Sequence, residues 1–338
     1  MRMAMTLVVR DEADVVGAWL DYHLARGVDV VIATDHRSAD GTSELLREHE
    51  RDGRVVVLRE EGDVLRQAEW VTRMSRLAAS EHAADWVVPS DADEFWWPRV
   101  GSFQEILEAV PARFGVVRGL MRQFVLRPGD ESFSERLTVR ARPTADLTSA
   151  YHAQMKIAHR GATDAVVGVG NHDVEGRGLR LVREWFPFEV LHFPIRSEQQ
   201  LVDKFARRAT SPDGQHIVRA LDLLARGEQA TLLAETTVDD DALAEGLEAG
   251  RLVRDVRLRD ALRALRDGGR LPQAPAQALA DDVDLAEDAH VALQHDSAVV
   301  AERLCSELEH AVAALEGRAQ FAGRVMRRLR RSTPGGDG

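Results

Sequence analysis

The stretch Trp86-Val87-Val88-Pro89-Ser90-Asp91-Ala92-Asp93-Glu94-Phe95 constrains this chain more than any other. An apolar run that breaks off into carboxylates reads as a buried strand ending at a site, because a central strand cannot hold unpaired charge inside the core. Asp91 and Asp93 stand two apart, so where extended geometry persists they point the same way and can converge on one cation. Hard oxygen ligands suit Mg2+ or Mn2+, ions that usually sit between one or two carboxylates and substrate phosphates. Asp-x-Asp also occurs on solvated loops; its place at a strand end gives it weight.

Ahead of that stretch a strand-helix unit recurs. Met5–Val9 reads as a strand and Val15–Arg26 as a helix, with Val16, Trp19, Leu20, His23 and Leu24 near one face and Gly27 as its stop. Val30–Ala33 is a second apolar run ending at Asp35, after which Ser38-Ala39-Asp40-Gly41-Thr42 opens a helix reaching about Glu50. Val55–Leu58 makes a third strand, and Asp63 is placed to cap a helix whose stripe is Val64, Ala68, Val71, Met74 and Ala78. Strands alternating with helices predict a parallel, doubly wound α/β sheet, and such sheets bind ligands beyond the carboxyl ends of their strands. Asp11, Asp35, Asp91 and Asp93 all fall at such ends. The first strand runs into Arg10-Asp11-Glu12 with no glycine-rich turn, and no G-x-x-x-x-G-K-[ST] occurs, which argues against a dinucleotide cofactor and a P-loop. Carboxylates beside a diphosphate would repel it without an intervening dication, so a metal held by Asp91 and Asp93 is the economical arrangement.

At 338 residues the chain is long enough for one large or two ordinary domains. No stretch approaches the roughly 20 apolar residues of a membrane-spanning helix. The apolar run Met3–Val9 is short and lacks a small-residue cleavage site, so a cytoplasmic protein is expected. Cys305 is the only cysteine, which excludes an internal disulfide and a Cys-based zinc cluster and leaves it the role of a small helix-face residue. A formal net charge of −12 opposes general nucleic-acid binding and points to a small or carbohydrate-like partner.

Taken together, Val8-Val9-Arg10-Asp11-Glu12, Trp19-Leu20-Asp21-Tyr22-His23, Gly27-Val28, Asp35-His36-Arg37-Ser38-Ala39-Asp40-Gly41-Thr42 and Asp91-Ala92-Asp93-Glu94-Phe95 resemble the family-2-type glycosyltransferases. More narrowly, they resemble the branch that is also similar to glycosyltransferase family 92. The similarity continues through Leu191-His192-Phe193-Pro194-Ile195-Arg196-Ser197 and Lys204, and so spans approximately the first 210 residues. It departs at Asp11, where an asparagine is usual before the glutamate, and at His36-Arg37 inside the second motif. The resemblance implies a GT-A-like fold, Mn2+ or Mg2+, a nucleoside-diphosphate sugar donor, a carbohydrate or lipid-linked acceptor, and inversion at the anomeric carbon.

Between residues 115 and 195 the pattern changes to short runs, Val116–Leu120, Leu137–Arg140, Met155–Ala158, Ala165–Val169 and Phe188–Phe193, which predict a mixed sheet forming an acceptor half. Gly168-Val169-Gly170 opens no helix and reads as a tight turn. From Ser197 the chain turns helical, with a Ser197/Gln200 capping-box pattern ahead of Leu201 and Val202. Ser211–Gly214 reads as a turn, and a Pro/Ala-rich linker lies near Leu271–Pro275. The expected organisation is a GT-A-like domain over residues 1–210, with a donor half 1–100 and an acceptor half 101–210, followed by a mostly helical region 211–338 with a basic tail.

Asp91 and Asp93 are candidate metal and diphosphate ligands, against the alternative of a solvated strand end. By the resemblance His192 completes the metal site, Arg10 and Glu12 lie in the donor motif, Asp35 meets the base or ribose, and His172 lies near the donor. The competing reading of Asp35 is an Asx turn that starts the next helix, and Asp40 and Thr42 read as turn and cap chemistry. Arg196 and Lys204 are placed to bind phosphate oxygens. Lys156 is either a strand-end cation near the donor or a snorkelling edge lysine. Inverting transfer needs a base for the acceptor hydroxyl, and Asp173 is chosen over Glu94 because Glu94 can instead brace the metal loop. Of Trp96 and Trp97, one can stack on a sugar or nucleotide while the other belongs to the core. The competing functions are a non-catalytic nucleotide-sugar-binding or scaffold protein, and a haloacid-dehalogenase-like phosphatase. The phosphatase would carry its nucleophilic aspartate near the first strand, followed by Thr or Val, whereas Glu94-Phe95 here follow the fourth.

Towards the C-terminus Leu304, Leu308, Ala311, Leu315, Ala322, Val325 and Leu329 form a near-heptad stripe interrupted by Arg318, suited to packing on its own domain or to pairing in a homodimer. Phe321, Val325 and Leu329 share one side while Arg324, Arg327, Arg328, Arg330 and Arg331 crowd the others, the pattern of a helix lying on an anionic surface such as the inner face of the membrane. The full chain should therefore pellet with anionic but not neutral liposomes at low salt, and a chain ending at Ala322 should stay in the supernatant. Recovery of both in the supernatant makes the arginines a solvated tail.

Overall fold

In the computed structural model the first apolar run, Met3–Val9, is strand β1. Helix α1 (Val16–Ala25), β2 (Val30–Asp35), α2 (Thr42–Glu50), β3 (Val55–Arg59), α3 (Gln67–Ser80) and β4 (Trp86–Asp91) follow in the predicted alternation. The structure describes residues 1–145, 151–183, 185–208 and 218–271, with scattered helical residues between His290 and Leu308. β1 pairs in parallel with β2 and with β4, placing Val9 opposite Asp35 and Val8 opposite Asp91. Side chains alternate across the strand. Met3, Met5, Leu7 and Val9 join Trp19 and Leu20 of α1 and Leu46 of α2 in the larger core, whereas Ala4 joins Val30, Ile32 and Val87 under Val71, Met74 and Ala78 of α3. Helices thus cover both faces, the doubly wound arrangement the alternation predicts. α1 stops where Gly27 takes φ +95°, a conformation open to glycine, and a Cβ there would lie 2.5 Å from the Gln104 side chain.

After β4 the chain crosses to the far edge of the sheet as β5 (Glu94–Pro98). Helix α4 (Phe103–Glu108), β6 (Val116–Gln123), α5 (Phe133–Arg136), β7 (Val139–Ala141), β8 (Met155–Arg160), β9 (Val166–Val167), β10 (Val174–Glu175) and β11 (Phe188–His192) come next. The large sheet runs β3-β2-β1-β4-β8-β6-β11-β5. β8 is antiparallel to β4 and β6, β5 is antiparallel to β11, and β6 and β11 run parallel, so the mixed sheet expected of this half is present. One edge therefore collects the carboxyl ends of β1, β2, β4, β6 and β11 together with the amino ends of β8 and β5. Gly168-Val169-Gly170 belongs to a tight turn, as predicted, with Gly170 at φ +71°.

Helix α6 (Glu198–Arg208) is followed by α7 (Val218–Ala225), α8 (Gln229–Thr236), α9 (Asp240–Glu248), β12 (Leu252–Arg254) and α10 (Arg257–Arg266). At the start of α6 Ser197 Oγ accepts from Gln200 N at 3.1 Å, half of the capping box; the Gln200 side chain accepts from Arg196 N instead. The helical reading beyond residue 210 missed β12, which pairs antiparallel with β7, because three residues carry no readable period. α10 places Leu258, Ala261 and Leu262 in the larger core. No helix among the described residues is long and apolar enough to cross a membrane. The Ser211–Gly214 turn, the linker after Leu271, Cys305, and the stripe and arginines from Ala311 to Arg331 lie outside the described residues.

Two local expectations are corrected. α3 begins at Gln67 without a side-chain cap, so Asp63 does not cap it, and Val64 is 54% exposed ahead of the helix. Trp96 and Trp97 are both buried, and neither is open to a sugar: β5 lies under α1 and near α10, with Arg26 and Arg257 4.7 and 5.4 Å from the Trp97 ring centre.

The motif Trp19–His23 clamps β5. Trp19 Nε1 donates to Glu94 O at 2.8 Å and Tyr22 OH to Trp96 O at 3.0 Å. His23 Nε2 accepts from Trp96 N at 3.1 Å, so its Nδ1 carries the proton and donates to Trp19 O at 2.9 Å. Burial pushes His23 down to about 3 from 6.5. The neutral ring is favoured in the fold, so its contribution is complete above the unfolded value of 6.5 and is lost as pH falls toward about 3. Chemical denaturation across this window should show stability falling with acid, and His23→Gln, which cannot protonate, should flatten the slope by up to ~1.4 kcal/mol per pH unit. An unchanged slope would show that His23 is not the buried acid sensor.

Candidate active site

The collecting edge of the sheet gathers most of the candidate residues. Asp91 ends β4, and the backbone turns at Ala92-Asp93 before β5 begins at Glu94. Extended geometry does not persist, so Asp91 and Asp93 do not share partners as expected. Asp91 Oδ1 accepts from Gln67 Nε2 at 2.7 Å and Asn171 Nδ2 at 3.4 Å, and Oδ2 lies 3.3 Å from Lys156 Nζ. Asp93 Oδ2 lies 3.0 Å from Lys204 Nζ and 3.8 Å from Arg196 Nη1, and Oδ1 lies 3.5 Å from His192 Nε2. Burial works to raise the Asp93 carboxyl, but Lys204, His192 and Arg196 overrule it and hold it well below the usual range.

Among the described residues Asp93, Glu94 and His192 can close on one ion, each offering a ligand atom within 4.8 Å of the others. Asp91, expected in that set, is turned to Lys156, Gln67 and Asn171. His192 ends β11, and Gln123 ends the neighbouring β6; the imidazole Nδ1 meets Gln123 Oε1 at 2.7 Å. Burial holds His192 below its ordinary value against the pull of Asp93. Glu94 is fully buried, with Oε1 2.6 Å from Lys156 Nζ and Oε2 accepting from Asp91 N at 3.2 Å. Burial pushes its carboxyl up to about 8, while Lys156 pulls against this and Asp91 and Asp93 add to it. Glu94 thus braces the loop and presents no surface to an acceptor, which corrects its candidacy as the base. Lys156 is no snorkelling edge residue: it sits inside the sheet, 3% exposed, and also donates to Gly170 O at 2.6 Å.

Arg196 is 1% exposed and its guanidinium is committed: Nε donates to Asp14 Oδ2 at 2.7 Å, Nη1 to Phe193 O at 3.3 Å, and Nη2 to Glu12 and Asp14. It is a brace for the loop after β1, and this corrects the expectation that it reaches phosphate oxygens. Burial pushes Glu12 up to about 7 against the pull of Arg196. That loop is also tied to the turn before α2, since Asp40 accepts from Ala13 N at 2.9 Å and Thr42 Oγ1 from Glu12 N at 2.8 Å. Asp11 stands at φ +54° with Oδ1 accepting from Ala39 N at 2.8 Å. Asparagine and aspartate are the residues that tolerate this left-handed position, which accounts for Asp11 where asparagine is usual. Arg10 lies beside it, its side chain 37% exposed. Asp35 accepts from Ser38 N at 3.1 Å and from Ser43 Oγ, the Asx turn of the competing reading.

His172 and Asp173 sit on the surface turn after Asn171, His172 Nδ1 donating to Met155 O at 2.7 Å and the Asp173 side chain lying over Gly168. The sequence reading missed Gln67, Gln123 and Asn171. Gln123 was findable, had the run at Val116 been carried past Leu120 to the strand end. Asn171, at φ +61° with its side chain on Asp91, stands directly before the candidates His172 and Asp173. Gln67, a polar residue opening a helix, carried no signal.

No protein-family model matches the chain, and no curated protein is similar to it in sequence. Solved structures resemble it in part. The S. aureus TarS 1-349 structure is 11% identical over 64% of this chain and 68% of that one, with a TM-score of 0.35. The same fragment in complex with UDP-GlcNAc is 10% identical over 64% and 69%, with a TM-score of 0.36. Glucosyl-3-phosphoglycerate synthase from Mycobacterium tuberculosis, in complex with Mn2+, UDP and phosphoglyceric acid, is 20% identical over 36% and 43%, with a TM-score of 0.27. Overlaps this partial transfer no residue role.

Lys156 is the counterion of the buried Glu94 and of the partly exposed Asp91, and removing one partner of a buried pair is strongly destabilising. Lys156→Met should lower stability by about 3–5 kcal/mol in chemical denaturation, and adding Glu94→Gln should recover part of the loss. Full stability in the single variant would mean that the carboxylates find another partner.

Proposed function

We propose that the chain is a metal-dependent glycosyltransferase of GT-A-like fold that moves a sugar from a nucleoside-diphosphate donor to a carbohydrate or lipid-linked acceptor with inversion. The observation that carries the reading is the meeting of Asp93 and His192. The Nδ1–H of His192 is spent on Gln123 and burial keeps the ring neutral, so its Nε2 lone pair faces the Asp93 carboxylate across 3.5 Å, with Glu94 as a third donor. Two acceptors held face to face fit a small dication that takes oxygen and nitrogen ligands, Mn2+ or Mg2+. Bound there, the ion would neutralise the diphosphate and stabilise it as it leaves.

The chain's own groups take the remaining roles. Lys204 and Arg10, both partly exposed at this edge, supply positive charge for phosphate oxygens. Arg196 holds Glu12 and Asp14, and so the loop after β1, in place. Asp35 and His172 border the donor side. Asp173 is the base: it takes the acceptor hydroxyl proton while that oxygen bonds the anomeric carbon from the face opposite the departing diphosphate. The sequence motifs and the three-donor cluster support binding of a metal and a sugar nucleotide, and turnover of a sugar nucleotide separates the transferase from a non-catalytic binder.

Thermal melting against a panel of sugar nucleotides should show a shift only with Mn2+ present, because a ligand at about 100 times its dissociation constant adds ~2.7 kcal/mol. Asp93→Asn should fold and lose that metal-dependent shift; turnover equal to the parent in Mn2+ would remove Asp93 from the metal site. Asp173→Asn should lower kcat by ~10²–10⁴ with donor affinity retained, since proton removal belongs to the chemical step. Undiminished kcat would assign the base elsewhere.

A further inference from the structure

We propose that Lys204 is an exchangeable counterion of Asp93: a divalent ion entering beside His192 displaces it, and the released ammonium then binds the diphosphate of the donor. The inference rests on the reading of this edge as a metal and diphosphate site. Among the described residues two cations face Asp93 Oδ2, and they are built differently. Arg196, 3.8 Å away and 1% exposed, is clamped by Glu12, Asp14 and the Phe193 carbonyl and has nowhere to go. Lys204 Nζ, at 3.0 Å, has among the described residues a single further partner, Pro194 O at 2.7 Å, and its side chain is 19% exposed. A compact ammonium on a flexible four-carbon stem can swing, whereas a guanidinium held in a fork by several acceptors stays.

In the free protein Lys204 and Arg196 together neutralise Asp93. A dication on the other carboxylate oxygen repels the nearby ammonium and takes over the charge that held it. Lys204 then keeps only a carbonyl, until the phosphate oxygens restore a full negative partner. The same residue therefore opposes the metal when no donor is present and favours the nucleotide once the metal is in place. Metal and donor are coupled through it, and the coupling acts equally in both directions.

The two halves of the exchange have opposite signs, which makes them measurable apart from catalysis. Mn2+ alone is titrated into the full chain, Lys204→Met and Lys204→Gln, with free ion followed by its electron paramagnetic resonance signal. UDP, GDP, ADP, CDP and dTDP are then titrated by calorimetry at saturating Mn2+. Both variants should bind Mn2+ tighter by roughly fivefold or more and the accepted nucleoside diphosphate weaker by roughly fivefold or more. Mn2+ affinity that is unchanged or reduced in a variant melting like the parent overturns the exchange while leaving the metal site standing. A parent chain that binds neither Mn2+ nor any of these nucleotides overturns the functional reading on which the exchange rests.

Discussion

Buried carboxylates need cations, and this requirement organises the collecting edge of the sheet. A parallel set of strands delivers its carboxyl ends to one side, and here those ends are followed by Glu12, Asp14, Asp91, Asp93 and Glu94. Asp93 and Glu94 are buried, Glu12 and Asp91 are partly so, and Asp14 is exposed; the buried ones cannot stay ionised without a partner. The partners come from the second half: Lys156 on β8 answers Asp91 and Glu94, Arg196 after β11 answers Glu12 and Asp14, and Lys204 on α6 answers Asp93. The halves are therefore joined by charge as well as by the β4–β8 pairing. The turn between β4 and β5 is the point where the two sets of pairs meet.

That division also separates rigidity from adaptability. Asp91 and Glu94 share a lysine with no exposure to lose, and the clamp of Trp19, Tyr22 and His23 on β5 fixes the backbone that carries Glu94. On the Asp93 side the partners are an immobile guanidinium, a neutral imidazole and a partly exposed lysine. Positioning groups held by several bonds beside one group free to move is the division of labour expected of a site that must be pre-formed yet admit a charged ligand.

Much of this was legible in the sequence, and what was not has a physical reason. Continuous apolar runs and helical stripes placed β1 to β4 and α1 to α3 within a few residues, because strands covered on both faces are apolar nearly throughout and helices bury one stripe. The strand-end acids followed from the same logic. Their pairing did not, since Lys156, Arg196 and Lys204 are 65, 184 and 111 positions from Asp91, Glu12 and Asp93, and only the sheet order brings them together. The split of Asp91 from Asp93 hangs on one turn at Ala92-Asp93, which two small steps in the sequence do not announce. Trp96 and Trp97 alternate as a strand should, but both faces of β5 are covered, and coverage is a tertiary fact.

The same reasoning bears on where the folding unit ends. The motifs fade near residue 210, yet a second buried ion cluster crosses that point: Glu189 on β11 meets Arg122 at 2.5 Å and also pairs with Arg257, while Asp255 meets Arg140 at 3.1 Å and Arg257 at 2.7 Å. Burial works to raise Glu189, and Arg122, Arg257 and Arg99 overrule it to hold the carboxyl well below the usual range. Ending the chain at residue 210 would strip Arg140 of Asp255, take Arg257 from Glu189, unpair β7 from β12 and uncover the core where Leu258, Ala261 and Leu262 sit. Charges buried for a partner are costly once the partner is gone. The limit of the sequence motifs marks where the site's chemistry is written, and the chain beyond it, at least through α10, belongs to the body that holds that chemistry in place.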